Sequence, residues 1–251
     1  MELKVITTGS RGNSYALKND QGGYLILDAG VRYKELAQAV EWDPSYIHSV
    51  LITHEHRDHA QCVEDLAANG VDVCMSAGTA EMLFDDDDYL RDHVTICKAG
   101  DQFRKGPWLV MPFVTEHDAQ EPLGFLIQER DTAFKLVYLT DTAGCKYRFN
   151  GLTHIIVECN YQLSLLNRNV ASGTVAKGLH DRIIRSHMGL ETLTEWLKTL
   201  DLSACRKIIL VHLSDGNSLE SHMVHEISKA TGIEVVPAVS GSTIHMDLYD
   251  F

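Results

Sequence analysis

Basic residues are scarce in this chain. Lys and Arg together number 22 against 35 Asp and Glu, a formal net charge of -13. Proteins that hold long nucleic acids usually present a basic surface, because neutralising phosphates supplies most of the affinity. This balance argues against a body-wide nucleic-acid grip and favours a small substrate in a pocket. Cysteine is equally uninformative as a framework: Cys62, Cys74, Cys97, Cys145, Cys159 and Cys205 include no close pair. That excludes a zinc knuckle and a disulfide scaffold, and a reducing cytoplasm is the expected compartment. Long apolar runs are missing as well. No stretch reaches the roughly 18 residues of a membrane span, and Met1-Glu2-Leu3-Lys4-Val5 lacks a signal-peptide pattern. No membrane partner is expected. With five prolines in 251 residues, no Pro-rich linker interrupts the chain, and no repeat or low-complexity tract divides it. A single domain over residues 1–251 is the expectation.

What is present is an apolar fraction of 45%, enough for a substantial core. Strand-like runs cover Leu3 to Thr8, Ser14 to Lys18 and Gly23 to Asp28. Further runs cover Ser49 to Thr53, Val71 to Met75, Leu109 to Thr115, Gly124 to Gln128 and Phe134 to Thr140. The last four are His154 to Glu158, Lys207 to His212, Glu234 to Pro237 and Thr243 to Tyr249. Helical spacing marks Tyr33 to Glu41 and a segment opening near Cys62. It also marks the faces Leu190-Leu193-Trp196-Leu197-Leu200 and Met223-Val224-Ile227-Ala230. Strands in both halves with helices outside predict an α/β fold, a four-layer αββα sandwich.

Two segments break the pattern. Asp85-Asp86-Asp87-Asp88 reads as a solvated loop, because its spacing is not that of a calcium-binding EF-hand. Residues 160–187 carry Arg168, Lys177, Arg182 and Arg185 against one acid, Asp181. In so acidic a chain this basic stretch is either a surface helix and loop or a lid or dimer arm. In the second case Arg168, Arg182 and Arg185 would offer charge to a phosphate substrate, and the protein would be a homodimer.

The chemistry concentrates in His54-Glu55-His56-Arg57-Asp58-His59, directly after an apolar strand. His54 and His56, two apart on an extended segment, can point the same way. Asp58 and His59 follow as the chain turns. Imidazole nitrogen mixed with carboxylate oxygen suits zinc, and also manganese or iron.

This motif resembles that of the metallo-β-lactamase superfamily. Leu25-Ile26-Leu27-Asp28-Ala29-Gly30 resembles the family's short Asp-x-Gly element, and the likeness extends over most of the chain. It implies three more ligands at strand ends, for which His117, Asp141 and His212 are the candidates. By the family's pattern His54, His56 and His117 hold one divalent ion, most simply zinc, with manganese as the other choice. Asp58, His59 and His212 hold the second, with Asp141 bridging. An aspartate bridge is similar to phosphodiesterase branches, whereas several β-lactamase branches use cysteine. Asp58 and Asp141 thus count as catalytic with His187. The last precedes a helix, as does the proton-donating or phosphate-contacting histidine of nucleases similar to transfer-RNA 3′-processing enzymes. Gly9-Ser10-Arg11-Gly12-Asn13-Ser14-Tyr15 and Glu158-Cys159-Asn160-Tyr161 resemble a single-domain branch. It includes bacterial exonuclease-like proteins and anti-Pycsar proteins, which hydrolyse cyclic mononucleotides. The expectation that follows is a two-metal phosphodiesterase opening 3′,5′-cyclic mononucleotides. A DNA or RNA exonuclease is the alternative, and a non-catalytic binding protein of the same fold is a third reading.

Overall fold

The computed structural model describes residues 1–84, 90 and 92–249, so the acidic run at 85–88 lies outside the described residues. The chain divides into two compact units built from discontinuous segments. Unit 1 comprises Met1–Val114, Ala119–Ala133 and Val239–Phe251, and unit 2 comprises Thr115–Asp118 and Phe134–Ala238.

Unit 1 begins with β1 (Glu2–Thr7), β2 (Ser14–Lys18), β3 (Tyr24–Leu27) and helix α1 (Tyr33–Ala39). Strand β4 (Ile47–Leu51) leads into the short helices α2 (Arg57–Ala60) and α3 (Val63–Ala68). Strand β5 (Val73–Met75), helix α4 (Ala77–Phe84) and strand β6 (Val94–Ile96) follow. Strands β1, β2 and β3 pair antiparallel, and β3 to β6 pair parallel. Helices cover this sheet with Leu36, Val63, Leu66 and Phe84, which pack on Ile26, Val50, Ile52 and Val73. Fully burying each such side chain contributes about 1.5–3 kcal/mol. An antiparallel meander, β7 (Phe103–Lys105), β8 (Trp108–Val114) and β9 (Leu123–Glu129), belongs to the same unit.

Unit 2 is built on β10 (Lys135–Leu139), β11 (His154–Glu158), β12 (Lys207–Val211) and β13 (Glu234–Pro237), all parallel and adjacent in that order. Between β11 and β12 (Lys207–Val211) run helices α5 (Leu163–Ala171), α6 (Lys177–Ser186) and α7 (Leu190–Lys198). Helix α8 (Glu220–Thr231) connects β12 to β13 (Glu234–Pro237), and β14 (Thr243–His245) belongs to unit 1. The middle strands read Ile155-Ile156-Val157 and Ile208-Ile209-Leu210, all fully buried. A strand covered on both faces has no polar alternation, which is why these runs are continuous. Parallel pairing has a further consequence: the carboxyl ends of neighbouring strands lie along one edge, where α/β sheets bind ligands.

The strands expected from sequence at these places are present, and a helix stands at each C-terminal face, α7 from Leu190 and α8 from Glu220, three residues before Met223. The expected strand Thr243 to Tyr249 is shorter, Thr243–His245. Strands β6 and β7 and helix α4 were not expected. The stretch 160–187 holds two helices, α5 and α6, whose Leu166 and Ile183 pack with Tyr161 in a small cluster of their own.

His154, at the start of β11, is fully buried and stacks on Phe134 at 4.9 Å. Its Nε2 has no hydrogen-bond partner. Burial first, and Lys207 second, push its pKa down to about 3. Below the ordinary value of 6.5 the unfolded chain therefore takes up a proton that the folded one refuses. Stability falls with pH by about 1.4 kcal/mol per unit, roughly 2 kcal/mol by pH 5. Urea midpoints at pH 7 and pH 5 should diverge less in His154→Gln than in the parent. An identical acid loss in both proteins would refute this.

Candidate metal centre

Parallel pairing of β3 with β4 aligns Leu27 with Leu51, so Asp28 and the motif that begins at His54 emerge at the same edge. Asp28 is fully buried and anchors the motif. Its Oδ1 accepts hydrogen bonds from the Thr53 amide at 2.8 Å and from Thr53 Oγ1 at 3.0 Å. Its Oδ2 accepts from His59 Nδ1 at 2.8 Å. Because Thr53 Oγ1 donates to Asp28, it accepts from His54 Nδ1, 2.9 Å away. One carboxylate thus fixes two tautomers, His59 directly and His54 through Thr53. Both Nε2 atoms keep a lone pair, the form a metal requires.

His54 Nε2 lies 3.0 Å from His56 Nδ1, and the rings of His54 and His59 are 4.3 Å apart. Asp58 Oδ2 stands 3.5 Å from His59 Nε2. All four motif residues therefore converge. The turn that gathers them is α2, in which the amides of His59 and Ala60 both donate to the His56 carbonyl.

The glycine-rich opening is more than a hairpin turn. The Asn13 amide donates to the Asp58 carbonyl at 2.7 Å, and Asn13 Nδ2 lies 3.1 Å from His59 Nε2. Gly30 seals the same contact, since a Cβ there would sit 1.7 Å from the Asp58 carbonyl oxygen. Backbone cannot yield as a side-chain tip can. Gly30→Ala is expected to destabilise by at least the 1–3 kcal/mol typical of overpacking, lowering Tm by roughly 2–4 °C per kcal/mol. A thermal melt indistinguishable from the parent's would contradict this.

In unit 2 the site forms where β10, β11 and β12 end side by side. Asp141, Glu158, His187 and His212 each offer a ligand atom, all within 4.8 Å of one another. His212 Nδ1 is 3.4 Å from Asp141 Oδ1 and 3.7 Å from Glu158 Oε2. His117 Nε2 is 3.6 Å from Asp141 Oδ2, and its Nδ1 donates to the Ser186 carbonyl at 2.8 Å. Burial pushes the His117 pKa down, against the pull of Asp141, which keeps the imidazole neutral and ligand-ready. His187 Nδ1 donates to Glu158 Oε2 at 3.0 Å. Burial opposes charge on His187, but Glu158 and then Asp141 outweigh it and lift its pKa above the ordinary value.

Backbone strain marks the same places. Asp28, Asp141 and His212 have φ of 58°, 46° and 52°. Each follows directly on, or one residue beyond, a strand end. Non-glycine residues in this region cost energy and cluster at functional sites.

Two contributors lie outside the ligand set expected from sequence. Asp28 enters the sequence only through the Asp-x-Gly likeness, and Glu158 only as the start of Glu158-Cys159-Asn160-Tyr161. The signal for Glu158 was an acid closing an otherwise apolar buried run. Of the arginines, Arg182 and Arg185 lie with His117 around one cavity, whereas Arg168 is exposed on α5 and not part of it.

The donor set is buried imidazoles with fixed tautomers beside buried carboxylates. That mixture fits a divalent metal. Fold and donors together define the class: a metal-dependent hydrolase of the metallo-β-lactamase fold. A family model described as a β-lactamase superfamily domain matches residues 25–213, and the chain belongs to that superfamily. The α/β class expected from sequence is therefore the observed one. The chain is 29% identical over 248 residues to exodeoxyribonuclease WalJ of Streptococcus pneumoniae, covering 91% of this chain and 89% of the relative. It is 24% identical to exodeoxyribonuclease YycJ of Bacillus anthracis, covering 88% and 85%. Among solved structures, zinc-bound PqqB from Methylobacterium extorquens superposes with a TM-score of 0.71 at 16% identity, over 98% of this chain and all of that one. YhfI from Bacillus subtilis gives 0.70 at 16%, over 97% and 99%. Among the described residues, no helix is long and apolar enough to cross a membrane.

Proposed function

We propose that this protein is a two-metal exonuclease that hydrolyses phosphodiester bonds in DNA. The observation that carries the reading is the donor cluster at the ends of the parallel strands, Asp141, Glu158, His187 and His212. The two exodeoxyribonuclease relatives, matched over most of their length, support the substrate. On the family's ligand pattern, His54, His56 and His117 would hold one ion and Asp58, His59 and His212 the other, and Asp141 would complete the set. When bound, such a pair activates a water and neutralises charge developing on the phosphoryl oxygens.

The protein's own residues prepare the rest. Asp28 and Thr53 hold His54 and His59 in the tautomers that expose Nε2. The Ser186 carbonyl does the same for His117. His187, clamped through Nδ1 by Glu158, turns its Nε2 to the reaction and protonates the departing alkoxide as general acid. Residues 160–187 serve as an arm over the substrate.

A cyclic mononucleotide is the second reading, favoured by the net charge of -13 and by the opening motif's likeness to anti-Pycsar proteins. One assay separates the two. Specificity constants are compared for 5′-phosphorylated DNA, RNA and the four 3′,5′-cyclic mononucleotides, with zinc and with manganese. DNA should lead by tenfold or more, about 1.4 kcal/mol of transition-state preference. A lead of that size for a cyclic mononucleotide would replace this reading while leaving the metal centre in place.

A further inference from the structure

Helix α6 carries Arg182 and Arg185 one turn apart, so both guanidinium groups leave the same face. They line a cavity of about 500 Å³ together with Glu116, His117, Asp118 and Ser186, a volume typical of small-molecule sites. Both side chains are exposed but anchored. Arg182 Nε donates to Asp118 Oδ2 at 3.0 Å, and Arg185 Nε donates to the Asp181 carbonyl at 3.0 Å. Among the described residues, the Nη groups of neither arginine donate a hydrogen bond, so each fork is held at its base with its tips toward solvent. Asp118 does a second job: its Oδ1 lies 3.3 Å from His117 Nε2. One carboxylate therefore stands between the Arg182 guanidinium and the nitrogen through which His117 would bind metal.

We propose that Arg182 and Arg185 dock a phosphate of the nucleic-acid strand next to the scissile one, and so set the preference for a chain over a mononucleotide. This rests on the exonuclease reading above. The spacing argues for a neighbouring phosphate: Asp118 holds Arg182 off the His117 ligand nitrogen by the width of a carboxylate. The scissile phosphate belongs to the metal side of Asp118, and the arginines belong to the other. The chemistry argues for phosphate, because a planar fork with free Nη groups donates to two anionic oxygens at once. The two acids in the cavity, Glu116 and Asp118, balance the two arginines, so recognition depends on geometry and not on bulk charge. That agrees with a protein whose net charge is strongly negative.

The test compares each variant with the parent on two substrates, one with a single phosphate and one with neighbouring phosphates, so that the difference in leaving group cancels within each substrate. Thymidine 5′-(p-nitrophenyl phosphate) has a single phosphodiester, and a short single-stranded oligonucleotide extends beyond it. For Arg182→Ala/Arg185→Ala, KM for the oligonucleotide should rise about 10–100-fold, the range for lost hydrogen bonds to a charged group. The loss on the oligonucleotide should exceed that on the small diester by about tenfold or more. Arg182→Lys/Arg185→Lys should recover only part of it, because an ammonium cannot fork. Oligonucleotide kinetics within twofold of the parent, or equal losses on both substrates, would overturn the inference and leave the exonuclease reading intact. A parent enzyme that cleaves the small diester but no oligonucleotide would overturn both.

Discussion

Asp141→Ala is expected to lower DNA hydrolysis by on the order of 10³-fold or more and to release one of two bound metal ions. A bound metal stabilises the transition state by several kcal/mol, and each 1.36 kcal/mol is a factor of ten in rate. Asp141 is where that loss should be largest. Its carboxylate is buried and lies 3.6 Å from His117 Nε2, 3.4 Å from His212 Nδ1 and 3.9 Å from His187 Nδ1. No other residue of unit 2 has three of the proposed site histidines so near its carboxylate. Its left-handed backbone, φ 46°, adds a complication, because alanine there costs about 1–2 kcal/mol of stability. Asp141→Asn separates the two effects. Asparagine tolerates this conformation but carries no charge, so the fold should keep its stability while metal and activity are lost. Elemental analysis and a thermal melt read both quantities. Asp141→Asn protein with full metal content and near-parent turnover would remove Asp141 from the centre.

His187→Ala should retain both metals and still lose about 10²–10⁴ in turnover, the range for removing a general acid. The geometry separates its role from that of the ligands. His187 caps the end of α6, and its Nδ1 is committed to Glu158 at 3.0 Å. Glu158 is itself fixed by the Thr142 amide and is fully buried, so the imidazole cannot swing. A leaving group that needs no proton offers the sharper check. Phosphodiesters of p-nitrophenol should be hydrolysed by His187→Ala with a much smaller deficit than DNA. If the variant instead loses a metal, and excess zinc or manganese restores its rate, His187 belongs to the ligand set.

The elements read correctly from sequence are those whose residues announce their own surroundings. Ile208-Ile209-Leu210-Val211 can only be a buried strand, and Leu190-Leu193-Trp196-Leu197 can only be a helix packed on one face. The motif His54 to His59 is local, so its convergence could be read directly. The rest depends on long-range pairing. Strand β6 has three residues and α4 begins Ala77-Gly78-Thr79-Ala80, too short and too uniform to show a period. Glu158 looks like any strand-ending acid until β10, β11 and β12 are known to be parallel neighbours, which sets it beside His187 and His212. Asp28 acquires its role only when the β3–β4 pairing brings Thr53 to it. The division into two units was invisible for the same reason, since each unit is assembled from distant segments. Net charge is silent for a different reason. An average over the whole surface carries no information on placement, such as that of Arg182 and Arg185 around one cavity with His117.

Strand β1 pairs with β14 through Glu2–His245, Leu3–Ile244 and Lys4–Thr243, which places the earliest and latest parts of the described chain side by side. On the ribosome this imposes an order. The first strand made waits without its outer neighbour while the whole of Phe134–Ala238 is synthesised, and that later unit has its four strands in hand first. During the interval β1 presents an open row of amides and carbonyls, an invitation to pair with other chains. A nascent chain halted before Thr243 would carry that exposed edge with it.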